Sequence, residues 1–326
     1  MTVTIAICTW NRADALAVTL DHLTRLRIPA GVEWELVVVN NNCTDDTDGV
    51  CRRFEGRLPL RLLHEPRPGK SFALNLAISE SRGNYILWTD DDVIIDPEWM
   101  AILLSTFERE QADWVFGTSE PEFPGPRPAW YDARFRGYFA ALDYGPTSFV
   151  VTDPHQSFYG LNCAGTRSAH VTLGGFRSEF GPRGFGGGVG EDTDIFRRAL
   201  QAGMKVVYEP LAHVRHMIAP VRLTKHFHRH RQWLANRVVY QYLNEQFPDV
   251  VWSFGMPRFF FGHGAKAAAG YVKCLVTRDA SERFAHELEF LKVFRFFLES
   301  GRSGFKNPQR PTNGGNVAAR SEGVGR

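Results

Sequence analysis

Three consecutive aspartates, Asp90, Asp91 and Asp92, close the run Tyr85-Ile86-Leu87-Trp88-Thr89 and are followed by Val93-Ile94-Ile95. A buried strand has no use for three adjacent charges, since an unpaired carboxylate is costly to bury. The triplet must therefore emerge where a sheet meets solvent or ligand. Crowded carboxylates repel one another, and a divalent cation with oxygen ligands relieves them. Mg²⁺ suits one or two carboxylates plus substrate phosphates, and Mn²⁺ behaves similarly. The bland alternative is a solvated acidic turn. Asp96 ahead of Pro97 reads as the N-cap of the next helix, so the capping role is already filled. A second acidic cluster, Glu191-Asp192-Thr193-Asp194, follows the glycine run Gly184-Phe185-Gly186-Gly187-Gly188-Val189-Gly190. Acids in a helix's first turn are favoured by the macrodipole, which gives one or two of them a purely structural reading. A hinge-like loop delivering carboxylates to a helix start also suits a general base that must meet an incoming hydroxyl.

These residues need elements to position them. Val3 to Cys8, Glu35 to Val39, Leu58 to Leu63, Tyr85 to Thr89 and Asp113 to Gly117 read as strands. Between them lie helices carrying Leu16, Leu20 and Leu23, a second starting near Thr44–Thr47, a third opened by Gly69-Lys70-Ser71, and a fourth from Pro97 to Glu110. Strands alternating with helices imply an α/β fold with a mostly parallel sheet. Ligands of such sheets bind beyond the carboxyl ends of the strands. Three polar clusters fall there: Thr9 to Arg12, Asn40 to Asn42, and Asp90 to Asp92. The glycine fingerprint of a dinucleotide-binding turn is absent after the first strand, and so is a P-loop. Phosphates are thus expected to be gripped through a metal. Lys70, at a helix start, has two readings: a phosphate-binding helper or a solvated side chain.

Composition bounds the class. With 326 residues, 44% apolar and 23% charged, the chain can bury a sizeable core. A net charge of +2 gives no argument for a nucleic-acid partner. Five cysteines form no CxxC pair and read as reduced thiols of a cytosolic protein. The N-terminus enters a strand with no signal-peptide pattern, and no run approaches the ~20 apolar residues of a spanning helix.

At this point the motifs resemble those of the inverting glycosyltransferases of family 2, which have the Rossmann-like GT-A fold. Ile7-Cys8-Thr9-Trp10-Asn11-Arg12, Glu35 to Thr47, Gly69 to Ile78, Asp90-Asp91-Asp92 and Gly190 to Asp194 stand in that family's order. The resemblance implies metal-dependent transfer from a nucleotide-diphosphate sugar to a saccharide or lipid-linked acceptor, in polysaccharide or glycoconjugate biosynthesis. It places Thr9, Trp10, Arg12, Asn40, Asn42, Lys70, Asp90 and Asp91 on the donor side. Asn40 stands where many relatives carry Asp. Asp92, with Asp90 and His216, would hold Mg²⁺ or Mn²⁺; Asp192 would be the base, with Glu191 and Asp194 in the acceptor site.

The rest of the chain is less informative. Prolines at 121, 124, 126 and 128 interleave with Trp130, Tyr131, Phe135, Tyr138 and Phe139, a long loop or lid whose aromatics either stack on sugars or pack on the sheet. His216 follows a short strand over Lys205–Tyr208. His226 and His230 share a helix face in a basic segment with Arg222, Lys225, Arg229 and Arg231, a weak zinc pattern without a cysteine. Apolar stripes at Phe259–Leu275 and Phe284–Leu298, beside cationic residues, suit either packing on the domain or peripheral contact with the inner membrane leaflet. The expected organisation is a glycosyltransferase domain over 1–243 with a nucleotide-sugar half (about 1–117) and an acceptor half (about 118–243). A helical C-terminal extension over 244–300 and a disordered basic tail over 301–326 follow. Two rivals remain: a metal-dependent phosphoryl-transfer enzyme or hydrolase, and a non-catalytic carbohydrate-binding relative.

Overall fold

Apolar strand runs broken by polar loops can hide both their faces only if helices cover both sides of the sheet. The computed structural model describes residues 1–182, 190–246, 250–302 and 304, with residues 237–246 by backbone alone. In chain order it runs β1 (Thr2–Thr9), α1 (Ala13–Leu23), β2 (Glu33–Asn40), α2 (Thr47–Phe54), β3 (Leu60–His64), α3 (Lys70–Glu80), β4 (Tyr85–Asp90), β5 (Val93–Ile95), α4 (Trp99–Glu110), β6 (Trp114–Glu122), β7 (Phe149–Val150), β8 (Asn162–Thr166), α5 (Arg167–Leu173), α6 (Glu191–Gln201), β9 (Val206–Met217), α7 (Lys225–Gln246), β10 (Trp252–Ser253), β11 (Met256–Pro257), α8 (Arg258–Thr277) and α9 (Ala280–Arg302). All of the expected glycine hinge over 184–190 except Gly190, and nearly all of the expected tail, lie outside the described residues.

The main sheet has the order β3-β2-β1-β4-β8-β6-β9-β5, with β7 added alongside β9. From β3 to β4 every pairing is parallel, and β8 enters antiparallel between β4 and β6. Alternate residues of β1 serve opposite faces. Val3, Ile5 and Ile7 pack with Leu16 and Leu20 of α1 and Leu103 and Phe107 of α4, while Ala6 packs with Val37, Val39, Ala73 and Phe196 on the other face.

Register decides which residues meet at the strand ends. Thr9 pairs with Asn40 and Cys8 with Asp90, so the three polar clusters open on one edge of the sheet. Two local expectations are corrected. Asp96 does not cap the next helix: its carboxylate accepts from the Glu98 amide (2.8 Å) and its carbonyl from that of Trp99 (3.0 Å). This is a β-turn with Pro97 at the position its fixed φ favours, and α4 starts after it, at Trp99. The short strand expected over Lys205–Tyr208 is the start of β9, which runs on to Met217 and includes His216. Between Phe116 and Thr118 the β6–β9 register jumps, so that β9 bulges at Glu209–Ala212 and resumes pairing at His213. Gly117 permits it, since a Cβ there would sit 1.7 Å from the Ala212 carbonyl oxygen.

The proline-rich stretch is largely packed. Trp130, Phe135 and Phe139 are buried with Ile218, Phe284 and Leu288, around a 3₁₀ turn over Ala133–Phe139. They form a second small core that docks α9 on the sheet domain, which answers the choice between sugar stacking and packing for these three. The Arg229 guanidinium pairs with Glu287 (2.5 Å), tying α7 to α9 as well.

Candidate active site

Thr9, the last residue of β1, donates its hydroxyl to Asp91 Oδ2 (2.6 Å). Arg12 Nη1 reaches both Asp91 Oδ1 (3.0 Å) and Asp92 Oδ2 (2.7 Å). Thr19 Oγ1 adds a bond to the Asp91 carbonyl (3.0 Å). Asp91 is thus a buried strut between β1, α1 and the triplet. Burial raises its pKa, with Arg12 pulling the other way. Asp92 is different. His216 Nε2 lies 3.4 Å and Arg222 Nη1 3.9 Å from its Oδ2, and against burial the His216, Arg12 and Arg222 side chains hold its carboxyl well below the usual range.

Two atoms here are unspent. Among the described residues, Asp92 Oδ1 and Arg222 Nε are buried without hydrogen-bond partners, one an acceptor and the other a donor. His216 Nδ1 faces the Phe139 carbonyl oxygen (2.8 Å), which can only accept, so Nδ1 carries the hydrogen. In the neutral ring Nε2 then accepts from Arg222 Nη1 (2.9 Å) while facing Asp92, and a cation in that guanidinium's place would meet a histidine backed by a carbonyl. The residues present therefore fit a small divalent cation held by Asp92 and His216. Asp90 is engaged on the other side, where its Oδ1 accepts from Lys70 Nζ (2.7 Å).

Lys70 links the two acidic clusters. Gly69, at φ +139°, turns the chain into α3, and its amide donates to Asn41 Oδ1 (2.9 Å). The Lys70 ammonium then sits against Asp90 and 3.7 Å from Glu191 Oε1. Burial works against its charge, yet Asp90 and Glu191 outweigh it and raise the pKa. Glu191 and Asp192 are both raised, chiefly by burial. Asp192 Oδ1 accepts from the Thr193 amide (2.7 Å) and Oδ2 from the Gly160 amide (3.3 Å). Glu191 is buried while Asp192 keeps some exposure. Asp194 points elsewhere: Arg198 Nε (2.9 Å) and Arg177 Nη1 (3.5 Å) hold it, and Arg198 also donates to the Leu173 and Gly175 carbonyls. That carboxylate anchors α6 to the end of α5 instead of meeting an acceptor.

The base-side residues are partly committed too. Asn40 donates to Asp48 Oδ1 (2.7 Å) and accepts from the Cys43 amide (2.7 Å), which spends both ends of its amide on the loop. Asn42 is exposed at φ +64°, and Trp10, just after β1, is half-buried. Sequence reasoning did not single out Asn41, whose Nδ2 binds the Glu65 (3.0 Å) and Arg67 (2.8 Å) carbonyls, nor the site role of Arg222. Arg222 was visible only as one cation of a basic segment. Its carbonyl is met by Nε2 of buried His228 (2.7 Å), while His226 and His230 stand exposed, outside any three-ligand group among the described residues.

Aspartates at a strand end face acids at a helix start over a parallel half-sheet, on a fold shared with GT-A glycosyltransferases. The sequence profile of glycosyl transferase family 2 matches residues 4–173, and the chain belongs to that family. It is similar to the succinoglycan biosynthesis protein ExoM of Rhizobium meliloti, 26% identical over 236 residues covering 72% of this chain and 70% of that protein. A glucosyl-dolichyl phosphate glucuronosyltransferase of Haloferax volcanii is 23% identical, covering 77% and 79% respectively. Among solved structures, a Pyrobaculum calidifontis mannosyltransferase in complex with GDP-Man and Mn²⁺ superposes with a TM-score of 0.56 at 18% identity, over 93% of this chain and 75% of that one. Staphylococcus aureus TarS in complex with UDP gives 0.54 at 15% identity, over 93% and 92%. These likenesses establish the fold. The chain is a glycosyltransferase, which removes the hydrolase and the non-catalytic relative from contention.

Proposed function

We propose that this enzyme transfers a sugar from a nucleotide-diphosphate donor to an acceptor hydroxyl in one inverting displacement, within polysaccharide or glycoconjugate biosynthesis. The observation that carries the reading is the unspent Asp92 Oδ1 among Arg12, His216 and Arg222, joined through Asp90 and Lys70 to Glu191 and Asp192. Asp92 and His216 would hold Mg²⁺ or Mn²⁺. When bound, that cation supplies Lewis-acid stabilisation of charge developing on the diphosphate. Arg222, with a free buried donor, and Arg12 receive phosphate oxygens from the protein side. Thr9, Trp10 and Asn42 line the donor side, and Asn40 shapes the loop there.

Asp192 takes the proton of the acceptor hydroxyl as its oxygen attacks the anomeric carbon. The bond from that carbon to the leaving diphosphate oxygen breaks with its electron pair going to the nucleotide. Burial suits Asp192 to this, because a base with a raised pKa has a greater proton affinity. Glu191, paired with Lys70, positions the acceptor, and Asp194 serves the fold. Exposed Phe259, Phe261, Tyr271, Val272 and Leu275 on α8, beside Arg258, Lys266 and Lys273 with no acid in the helix, favour contact with an anionic inner leaflet. Among the described residues no helix is long and apolar enough to cross a membrane. A thermal-shift screen of nucleotide-sugars with and without Mn²⁺ tests the reading. A true donor at 100-fold above its dissociation constant stabilises by about 2.7 kcal/mol. A screen in which no nucleotide-sugar moves the midpoint with the metal present would contradict it.

A further inference from the structure

The turn between α8 and α9 brings together three side chains that glycosyl transfer does not use. Cys274, near the end of α8, is fully buried, and Glu282 and His286 lie one turn apart at the start of α9. Their ligand atoms, one sulfur, one oxygen and one nitrogen, all fall within 4.8 Å of one another, with Glu282 Oε1 and His286 Nε2 3.7 Å apart. We propose that Cys274, Glu282 and His286 form a zinc site that clips α8 to α9.

The donor set selects the ion. Thiolate, imidazole and carboxylate together suit Zn²⁺, whereas Mg²⁺ and Mn²⁺ favour sets dominated by oxygen and without a thiolate. Zinc–ligand bonds of about 2.0–2.3 Å at tetrahedral angles need donors roughly 3.3–3.7 Å apart. The Glu282–His286 pair already meets that spacing, and torsions of these two partly exposed side chains close the rest. Two features bring the two helices close at this point. A Cβ on residue 270 would lie 2.2 Å from His286 Nε2, so Gly270 lets the imidazole lie directly against the backbone of α8, one turn before Cys274. The turn itself is tight, with Arg278 at φ +58° and the Asp279 carboxylate capping the Glu282 amide (2.8 Å).

The fold also has a use for a clip. The buried residues of α8 are Phe260, Ala267 and Cys274, while Val272, Leu275 and Val276 are exposed, so the C-terminal end of α8, unlike α9 with its buried Phe284 and Leu288, is held by little apolar burial. A metal cross-link supplies the stability that so small a buried area does not. Cys274 releases its proton when the zinc–sulfur bond forms, and water completes the fourth position.

The test uses the full chain, stripped with a chelator, dialysed and returned to excess Mg²⁺ to occupy the aspartate site. Co²⁺ is then added as a spectroscopic stand-in for Zn²⁺. The proposal expects a thiolate-to-cobalt charge-transfer band saturating at one equivalent, bleached by Zn²⁺ and absent in Cys274→Ser. In His286→Gln the cobalt affinity should fall by more than about 100-fold, beyond what loss of an outer-shell partner costs. Zn²⁺ should raise the thermal midpoint of the wild-type chain and not that of Cys274→Ser. His286 is partly exposed, so its variant keeps the fold, verified by circular dichroism. Absence of the band, or a band that survives Cys274→Ser, overturns the proposal. Because no arm measures sugar transfer, failure here leaves the catalytic reading untouched.

Discussion

Asp92 sits between Arg12, His216 and Arg222, and that crowding changes what its removal should do. Asp92→Ala leaves buried Arg222 without its counter-charge, so it should lower the thermal midpoint as well as abolish metal-dependent donor binding. Asp92→Asn keeps the side-chain volume and one oxygen, and should lose donor binding with a smaller loss of stability. Calorimetric titration with donor and Mn²⁺, alongside melting curves, separates the two effects. Normal donor affinity in Asp92→Asn would remove Asp92 from the metal site. At this scale the triplet stood out because strand-end acids have few structural uses, and Glu191-Asp192 because they follow a glycine run at a helix start. What could not be read was which acid serves which purpose. Asp91 is spent on Thr9 and Arg12, and Asp194 on Arg198 and Arg177, through partners as much as 82 residues away in sequence.

Elements carry their own test. His170, near the end of α5, accepts the indole N–H of Trp88 at Nε2 (2.9 Å), which places its hydrogen on Nδ1 facing the Thr166 carbonyl (2.8 Å). Burial pushes this imidazole down to about 4. A free histidine titrates near 6.5, so between those values the unfolded chain binds the extra proton. The contribution, on the order of 3 kcal/mol, is fully present above pH ~6.5 and lost as pH falls towards 4. His228, also pushed down to about 4, adds a share of the same sign. His170→Gln should therefore show a shallower fall in urea midpoint between pH 7 and 5 than wild type, and an unchanged slope would refute the link. The strands and helices of the first half were readable from period and punctuation. The full length of β9 was not: its Glu209–Ala212 bulge interrupts the alternation, and only pairing with β5 and β6 restores it.

Across the whole molecule, the C-terminal extension proves to be a working part of the packing. Phe284 is completely buried among Trp130, Phe135 and Leu288, so Phe284→Ala should cost about 3–5 kcal/mol in chemical denaturation. A loss below about 1 kcal/mol would mean that α9 is not docked as described. Sequence showed the apolar stripe but not its destination, because the partner aromatics lie in a stretch without regular periodicity. In the proposed reaction the donor side ends at Asp92 and the acceptor side begins at Glu191, and Asp192 completes the transfer between them. The most direct measurement is nucleotide release and product formation by Asp192→Asn at saturating donor, beside Glu191→Gln. The nearly isosteric amide leaves donor and metal binding in place but cannot take the acceptor proton. The kcat of Asp192→Asn should fall by about 10²–10⁴-fold, with a milder loss for Glu191→Gln. The residual rate should no longer fall at acid pH in the raised carboxyl range that wild type follows, since the active form of the base is the deprotonated one. A near wild-type kcat in Asp192→Asn, with loss in Glu191→Gln instead, would contradict the account and transfer the proton to the other carboxylate.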